Sequence, residues 1–155
     1  MAVIGIGIGA MMPVREAPPA VAEARASGTS AAVDRPVETV IQRDGNGHFM
    51  AHGEVNGEPI RFLVDTGADM VALTVEDARR ARVSFDPTSF EIVGSGASGA
   101  VRGQQVMLDN VVLDGKRVSG VRGAVIEGLD VSLLGQSYLS KIKSVHMTGD
   151  VMRLH

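Results

Sequence analysis

Asp65, Thr66 and Gly67 follow directly on Ile60, Phe62, Leu63 and Val64, so an ionisable group ends a hydrophobic run. These apolar residues predict a strand buried on both faces at its end. A carboxylate there is costly unless paired or hydrogen-bonded, which leaves two roles for Asp65: a structurally neutralised acid or a group kept for proton transfer. Thr66 supplies a hydroxyl, Gly67 permits close backbone approach and Ala68 adds no bulk, so together they can form a narrow polar loop around one carboxylate. Asp-Thr-Gly is equally a good turn sequence, and it acquires chemical meaning only from the elements around it.

Asn56-Gly57 separates Phe49 to Val55 from Pro59 to Val64, and both turn residues tolerate positive φ. The two segments are expected to pair as a hairpin, with Asp65 at the end of its second strand. Thr74, followed by Glu76 and Asp77, predicts a short capped helical turn reaching Ala81. Next come Phe90 to Val93, the glycine-rich stretch Gly94 to Gly99, and Ala100 to Leu108 in β-like alternation. The stretch matches GxGxxG, with Asp114 about twenty residues on, as a dinucleotide site would have it. The helix such a site requires is not predicted, because Gly103 interrupts the segment and Val101, Gln105 and Leu108 form no helical face. Val93 to Val101 is read instead as a glycine-rich mobile hairpin.

Downstream, Val111 to Leu113 and Lys116 to Val121 flank a hairpin turn at Asp114-Gly115, and Gly123 to Ile126 reads as a separate short strand. Val131 to Leu134 forms a second apolar strand, ending at Gly135. Gln136 to Lys143 predicts a short helix with Tyr138, Leu139 and Ile142 inward. Strands Ser144 to Met147 and Val151 to Leu154 then close around Gly149-Asp150.

A chain of 155 residues suits one domain of ordinary size. Nineteen glycines, abundant valine and 3% aromatic residues favour short strands and tight turns over a helical bundle, so the expected class is all-β. A net charge of −3 without a basic stripe gives nucleic acid no support. The lack of cysteine excludes disulfides, thiolate metal sites and a cysteine nucleophile. His48 and His52 occupy alternating strand positions and read as a solvated pair rather than zinc ligands. Neither metal nor cofactor is expected. Residues 1–14 are uncharged and mostly apolar. As a helix they would cover about 20 Å, short of the roughly 30 Å hydrocarbon core, and they lack the positive flank of a signal segment. They read as an anchor remnant or an apolar tail. Residues 15–36, rich in alanine, proline, serine and charge, read as a flexible linker, and the folded domain is expected over 37–155.

Phe62 to Asp69 and, downstream, Val131 to Leu139, in that order and separated by a glycine-rich hairpin, resemble the single-domain, retroviral-type (retropepsin-like) aspartic proteases. The closer likeness is to the bacterial branch, often tethered in the periplasm. The resemblance covers about residues 37–155. It implies a closed β-barrel, half of an acid protease, with one short helix near the C-terminus and the apolar-Gly strand crossing behind the Asp turn. One Asp-Thr-Gly is present where the chemistry uses two carboxylates, so the resemblance implies a homodimer through the Asp65-Thr66-Gly67 turns and the terminal strands. It further implies Asp65 as the catalytic residue, Thr66, Gly67 and Ala68 as the active-site turn, and Asp69, Val93, Gly94, Ser95, Gly96 and Ala97 as substrate contacts, the last five in a flap. Retroviral members commonly carry Arg after the downstream glycine, pairing with the Asp that follows the catalytic turn. Here Gln136 occupies that place. The flap also lacks an aromatic tip.

The function expected on this basis is aspartic endopeptidase activity on peptides or proteins. The alternative is a catalytically silent retropepsin-like module that binds peptides or drives dimerisation. The apolar N-terminus followed by a linker points to a periplasmic protease tethered at the inner membrane, with cytoplasmic residence as the other expectation.

Overall fold

The predicted turn at Asn56-Gly57 forms with both residues at positive φ, 52° and 82°. It pairs β2 (Met50–Val55) with β3 (Glu58–Val64) so that Met50 lies opposite Leu63 and Val55 opposite Glu58. This hairpin belongs to a computed structural model that describes residues 35–96 and 99–155. The segments read as anchor remnant and linker therefore lie outside the described residues, apart from Arg35 and Pro36. Among the described residues no helix is long and apolar enough to cross a membrane.

After β3 the chain forms β4 (Val71–Thr74), α1 (Val75–Arg80), a 3-10 turn at Pro87–Ser89, β5 (Glu91–Gly96), β6 (Gly99–Leu113) and β7 (Lys116–Ile126). β8 (Ser132–Leu134) and α2 (Gln136–Leu139) follow. The strand order β2-β3-β8-β4-β7-β6, with β2 also pairing β6, closes six strands into a barrel, and β5 adds to β6 outside the closure. This is the expected closed β-barrel. β8 is threaded between β3 and β4, parallel to the first and antiparallel to the second. A separate three-stranded sheet joins β1 (Thr39–Gln42), β10 (Val151–Leu154) and β9 (Val145–Thr148), so the start and end of the domain pair with each other.

The core is filled by alternate residues of these strands, with Phe62, Leu73, Leu108, Leu113, Leu134 and Tyr138 fully buried. Each such aliphatic or aromatic side chain contributes about 1.5–3 kcal/mol of transfer free energy. Thr74 caps α1 by accepting the Asp77 N–H at 3.0 Å, as its position before two acidic residues predicts. Buried Ser132 ties α1 to the barrel: its hydroxyl donates to Asp77 at 2.6 Å and accepts the Thr74 N–H at 3.1 Å.

Three expectations change. Ala100 to Leu108 and Val111 to Leu113 belong to one fifteen-residue strand, β6. Gly123 to Ile126 is not a separate strand but the end of the eleven-residue β7. Gly123 interrupts nothing because its role is packing: a Cβ there would lie 3.1 Å from both the Val71 carbonyl and Leu108. The helix expected to reach Lys143 ends at Leu139, where Lys141 N–H turns back to the Tyr138 carbonyl at 2.8 Å and tightens the last turn.

The N-terminal end of the domain is fastened by a buried polar cluster. The Lys116 amine donates to the Val37 carbonyl and the Thr39 hydroxyl, and the same hydroxyl donates to Asp114. Burial pushes the Lys116 amine down from its ordinary value, opposed by the negative charges of Asp114 and Glu38. Tyr138 completes the cluster by donating its hydroxyl to the Lys116 carbonyl at 2.7 Å.

Candidate active site

The carboxylate-bearing turn grows out of β3 and is held by the segment that follows β8. Parallel pairing places Phe62 beside Ser132 and Val64 beside Leu134. The ladder extends one step further, with Asp65 N–H donating to the Leu134 carbonyl at 3.1 Å. The Asp65 carboxylate accepts the Gly67 N–H at 2.9 Å, and its carbonyl accepts the Ala68 N–H at 3.3 Å, which folds Asp65 to Ala68 into a tight turn. Ala68 and Asp69 carbonyls then accept the N–H groups of Gln136 and Ser137 at 2.8 and 3.0 Å. Gly135 makes this approach feasible: a Cβ there would stand 2.2 Å from the Met70 carbonyl oxygen and 2.8 Å from that of Ala68.

Two side chains finish the frame. Gln136 donates its amide nitrogen to the Thr66 carbonyl at 2.9 Å. Ser137 accepts the Val71 N–H at 3.0 Å and donates to the Arg122 carbonyl at 2.7 Å, joining the end of the turn to β7. The frame leaves Thr66 and Gly67 exposed and Asp65 half-buried, in contrast to the full burial that its place after an apolar strand suggests. The carboxylate thus leaves the apolar layer as soon as β3 ends.

Beside the turn lies a cleft of about 560 Å³ between the barrel and the β5–β6 hairpin. Asp69 and Ala68 line its floor, and Val93, Gly94, Ser95 and Gly96 line its roof. Ala97, grouped with them from the sequence, lies outside the described residues. A register shift between Ile92 and Gly94 leaves Val93 as an extra residue in β5, and its side chain packs toward Ala72, Ala124 and Ile126. Ile92 on the opposite side is 71% exposed. The glycine-rich stretch thus forms a hairpin, with Gly99 at φ 109°, and no helix follows it.

The structure brings Ala68 and Asp69 together with Val93, Gly94, Ser95 and Gly96 across one cleft, while Asp65, Thr66 and Gly67 sit in the adjoining turn and do not line it. Sequence reasoning marked Gln136 only as a departure and passed over Ser137, Met70 and Leu133. Two polar residues directly after an apolar strand and glycine are the signal that could have drawn attention to Gln136 and Ser137. Among the described residues no three His, Asp or Glu side chains lie close enough to hold a metal ion.

The sequence pattern of the gag-polyprotein putative aspartyl protease family matches residues 51–141. An uncharacterized protein of Rickettsia prowazekii (strain Madrid E) is 34% identical over 119 residues, 76% of this chain and 51% of that protein. An uncharacterized protein encoded in the cobV 5' region of a Sinorhizobium species is 38% identical over 121 residues, with the same shares. The chain spans about half the length of these curated relatives. The crystal structure of a retropepsin-like aspartic protease from Rickettsia conorii superposes with a TM-score of 0.64 at 36% identity, covering 76% of this chain and 90% of that one.

Proposed function

Because this chain belongs to the family of retropepsin-like aspartic proteases, we propose that it is a homodimeric endopeptidase in which two copies of Asp65 meet at a two-fold axis. The observation that carries this reading is the Asp65-Thr66-Gly67 turn, clasped from behind by Leu134 to Ser137 and opening beside a hairpin-roofed cleft. Two carboxylates about 3 Å apart cannot easily both ionise and share one proton, a behaviour for which aspartic proteases are the standard example. The charged Asp65 takes a proton from a water whose oxygen attacks the peptide carbonyl carbon. The protonated Asp65 of the second copy gives its proton to the carbonyl oxygen. On collapse the C–N bond breaks and the nitrogen leaves with a proton returned from the pair, which titrates as a unit.

In this reading Thr66 joins the two turns across the axis, and Gly67 admits the substrate backbone. The hairpin read as the flap, Val93 to Val101, closes over the peptide, which lies extended and is held largely through its main chain. The terminal sheet is the second dimer contact. Val40 on β1 and Met147 on β9, 47% and 55% exposed, support that assignment. The proposal extends to a periplasmic protease tethered through residues 1–14, an assignment that rests on their apolar sequence and the linker after them.

Cleavage of a diverse peptide library from acidic to neutral pH, with Asp65→Asn prepared identically, tests the reading. The variant is expected to lose at least about 10²–10⁴-fold, the usual contribution of a general acid or base. Equal cleavage by both proteins would reveal a contaminant. A folded dimer that never cleaves would favour the silent peptide-binding module.

A further inference from the structure

The cleft does not end at the turn. Asp69 and Met70 also line a second chamber of about 660 Å³, walled by Gly120 and Arg122 of β7 and by Gln136, Ser137 and Lys141 at α2. Its charged side chains are one anion, Asp69 on the shared rim, and two cations, Arg122 and Lys141. Among the described residues neither cation has a carboxylate within ion-pair distance. The main chain of Arg122 is nonetheless fixed, because Ser137 donates to its carbonyl at 2.7 Å while accepting the Val71 N–H. Its guanidinium is thus presented from a strand anchored to the same frame that holds the Asp65 turn. Gly120, two residues earlier on the same face of β7, leaves open space where a side chain would stand.

We infer that this chamber is a distal subsite that selects an acidic side chain of the peptide, with Arg122 as the specificity-determining charge and Lys141 as its support. A carboxylate matches the planar donor fork of a guanidinium, and the Lys141 ammonium adds attraction of the same sign. The inference rests on the homodimeric protease reading. Two-fold symmetry places one chamber at each end of the cleft, so the preference falls on both sides of the scissile bond.

The probes are fluorescein-labelled, otherwise neutral decapeptides with Glu, Gln or Lys scanned outward from the centre. Cleavage is measured with the full chain and binding with its Asp65→Asn form. Glu at a distal position on either side is expected to exceed Gln by about two- to fivefold, the size of a partly solvated ion pair, and the preference should fade in high salt. Arg122→Glu is expected to reverse the Glu-to-Lys ratio. Arg79→Glu, the same charge change on the exposed face of α1, should leave that ratio as it is. Cleavage without any distal charge preference, or a preference that Arg122→Glu does not alter, overturns the inference and leaves the protease reading intact. Absent cleavage with Arg122-dependent binding of the Glu peptides supports the chamber and overturns the protease. Absent cleavage together with charge-blind binding overturns both.

Discussion

At Gln136 a single side chain changes how the Asp65 turn is held. Related retroviral sequences imply an arginine here, paired with the acid after the turn. The shorter, neutral Gln136 instead donates to the Thr66 carbonyl, and the Asp69 side chain is left exposed at the junction of the two cavities. Gln136→Ala removes one hydrogen bond whose acceptor can turn to water, so the expected stability loss is about 0.5–1.5 kcal/mol. The catalytic cost should reach the upper end of that range, about tenfold in kcat/KM or about 1.4 kcal/mol, because small misplacement of reacting groups is penalised steeply. Urea denaturation beside peptide kinetics checks the pair of values, and a stability loss without a rate loss would remove Gln136 from the positioning frame. Asp65, Thr66 and Gly67 were legible in sequence because a carboxylate after an apolar run is rare and local. The new partner of Gln136 was not, because it depends on which backbone carbonyl the fold brings within reach.

The elements show the same division. Alternation and the Asn56-Gly57 turn are local signals, and they located the hairpin that delivers Asp65. The continuity of β7 was hidden because Gly123 resembles a break in sequence while its cause is the close passage of β4. The α2 element carries a consequence for alkaline pH. Tyr138 is fully buried and donates to the Lys116 carbonyl, and burial, with the Asp114 charge adding to it, raises its phenol well above the ordinary value of 10.0. Above that ordinary value the unfolded chain has released a proton that the folded chain keeps, so stability is fully present below it and falls as pH rises beyond it. Tyr138→Phe should therefore lose about 1–3 kcal/mol at neutral pH, from the unsatisfied Lys116 carbonyl. Its denaturation midpoint should decline less steeply than wild type between about pH 10 and 11. Parallel alkaline slopes for the two proteins would exclude the phenol as the source.

For the whole molecule, the proposed pairing of two Asp65 turns would make catalysis a property of the assembly. Mixing wild type with an equal amount of Asp65→Asn under conditions of exchange should leave about half the activity per wild-type chain, because random pairing diverts half of those chains into dimers with one carboxylate. Unchanged activity would indicate a monomer that acts alone. Dilution should lower specific activity in parallel, which a concentration series reads directly.

What the sequence determined by itself is what short-range chemistry encodes: the all-β class, the hairpin before Asp65, the cap at Thr74, the Asp-Thr-Gly turn and the glycine-rich hairpin downstream. The resemblance anticipated the barrel and the apolar-Gly strand behind the Asp turn; the tertiary structure decided the register and contacts by which distant segments meet. It threaded β8 between β3 and β4, set Gly135 where a methyl group would collide with the Met70 carbonyl, and turned Gln136 toward Thr66. It also opened a cationic chamber beyond Asp69 from residues more than fifty positions away. Hairpin pairing and turns depend on neighbours in sequence, whereas long-range strand pairing, close backbone approach and charge juxtaposition depend on closure of the barrel, to which no local pattern points.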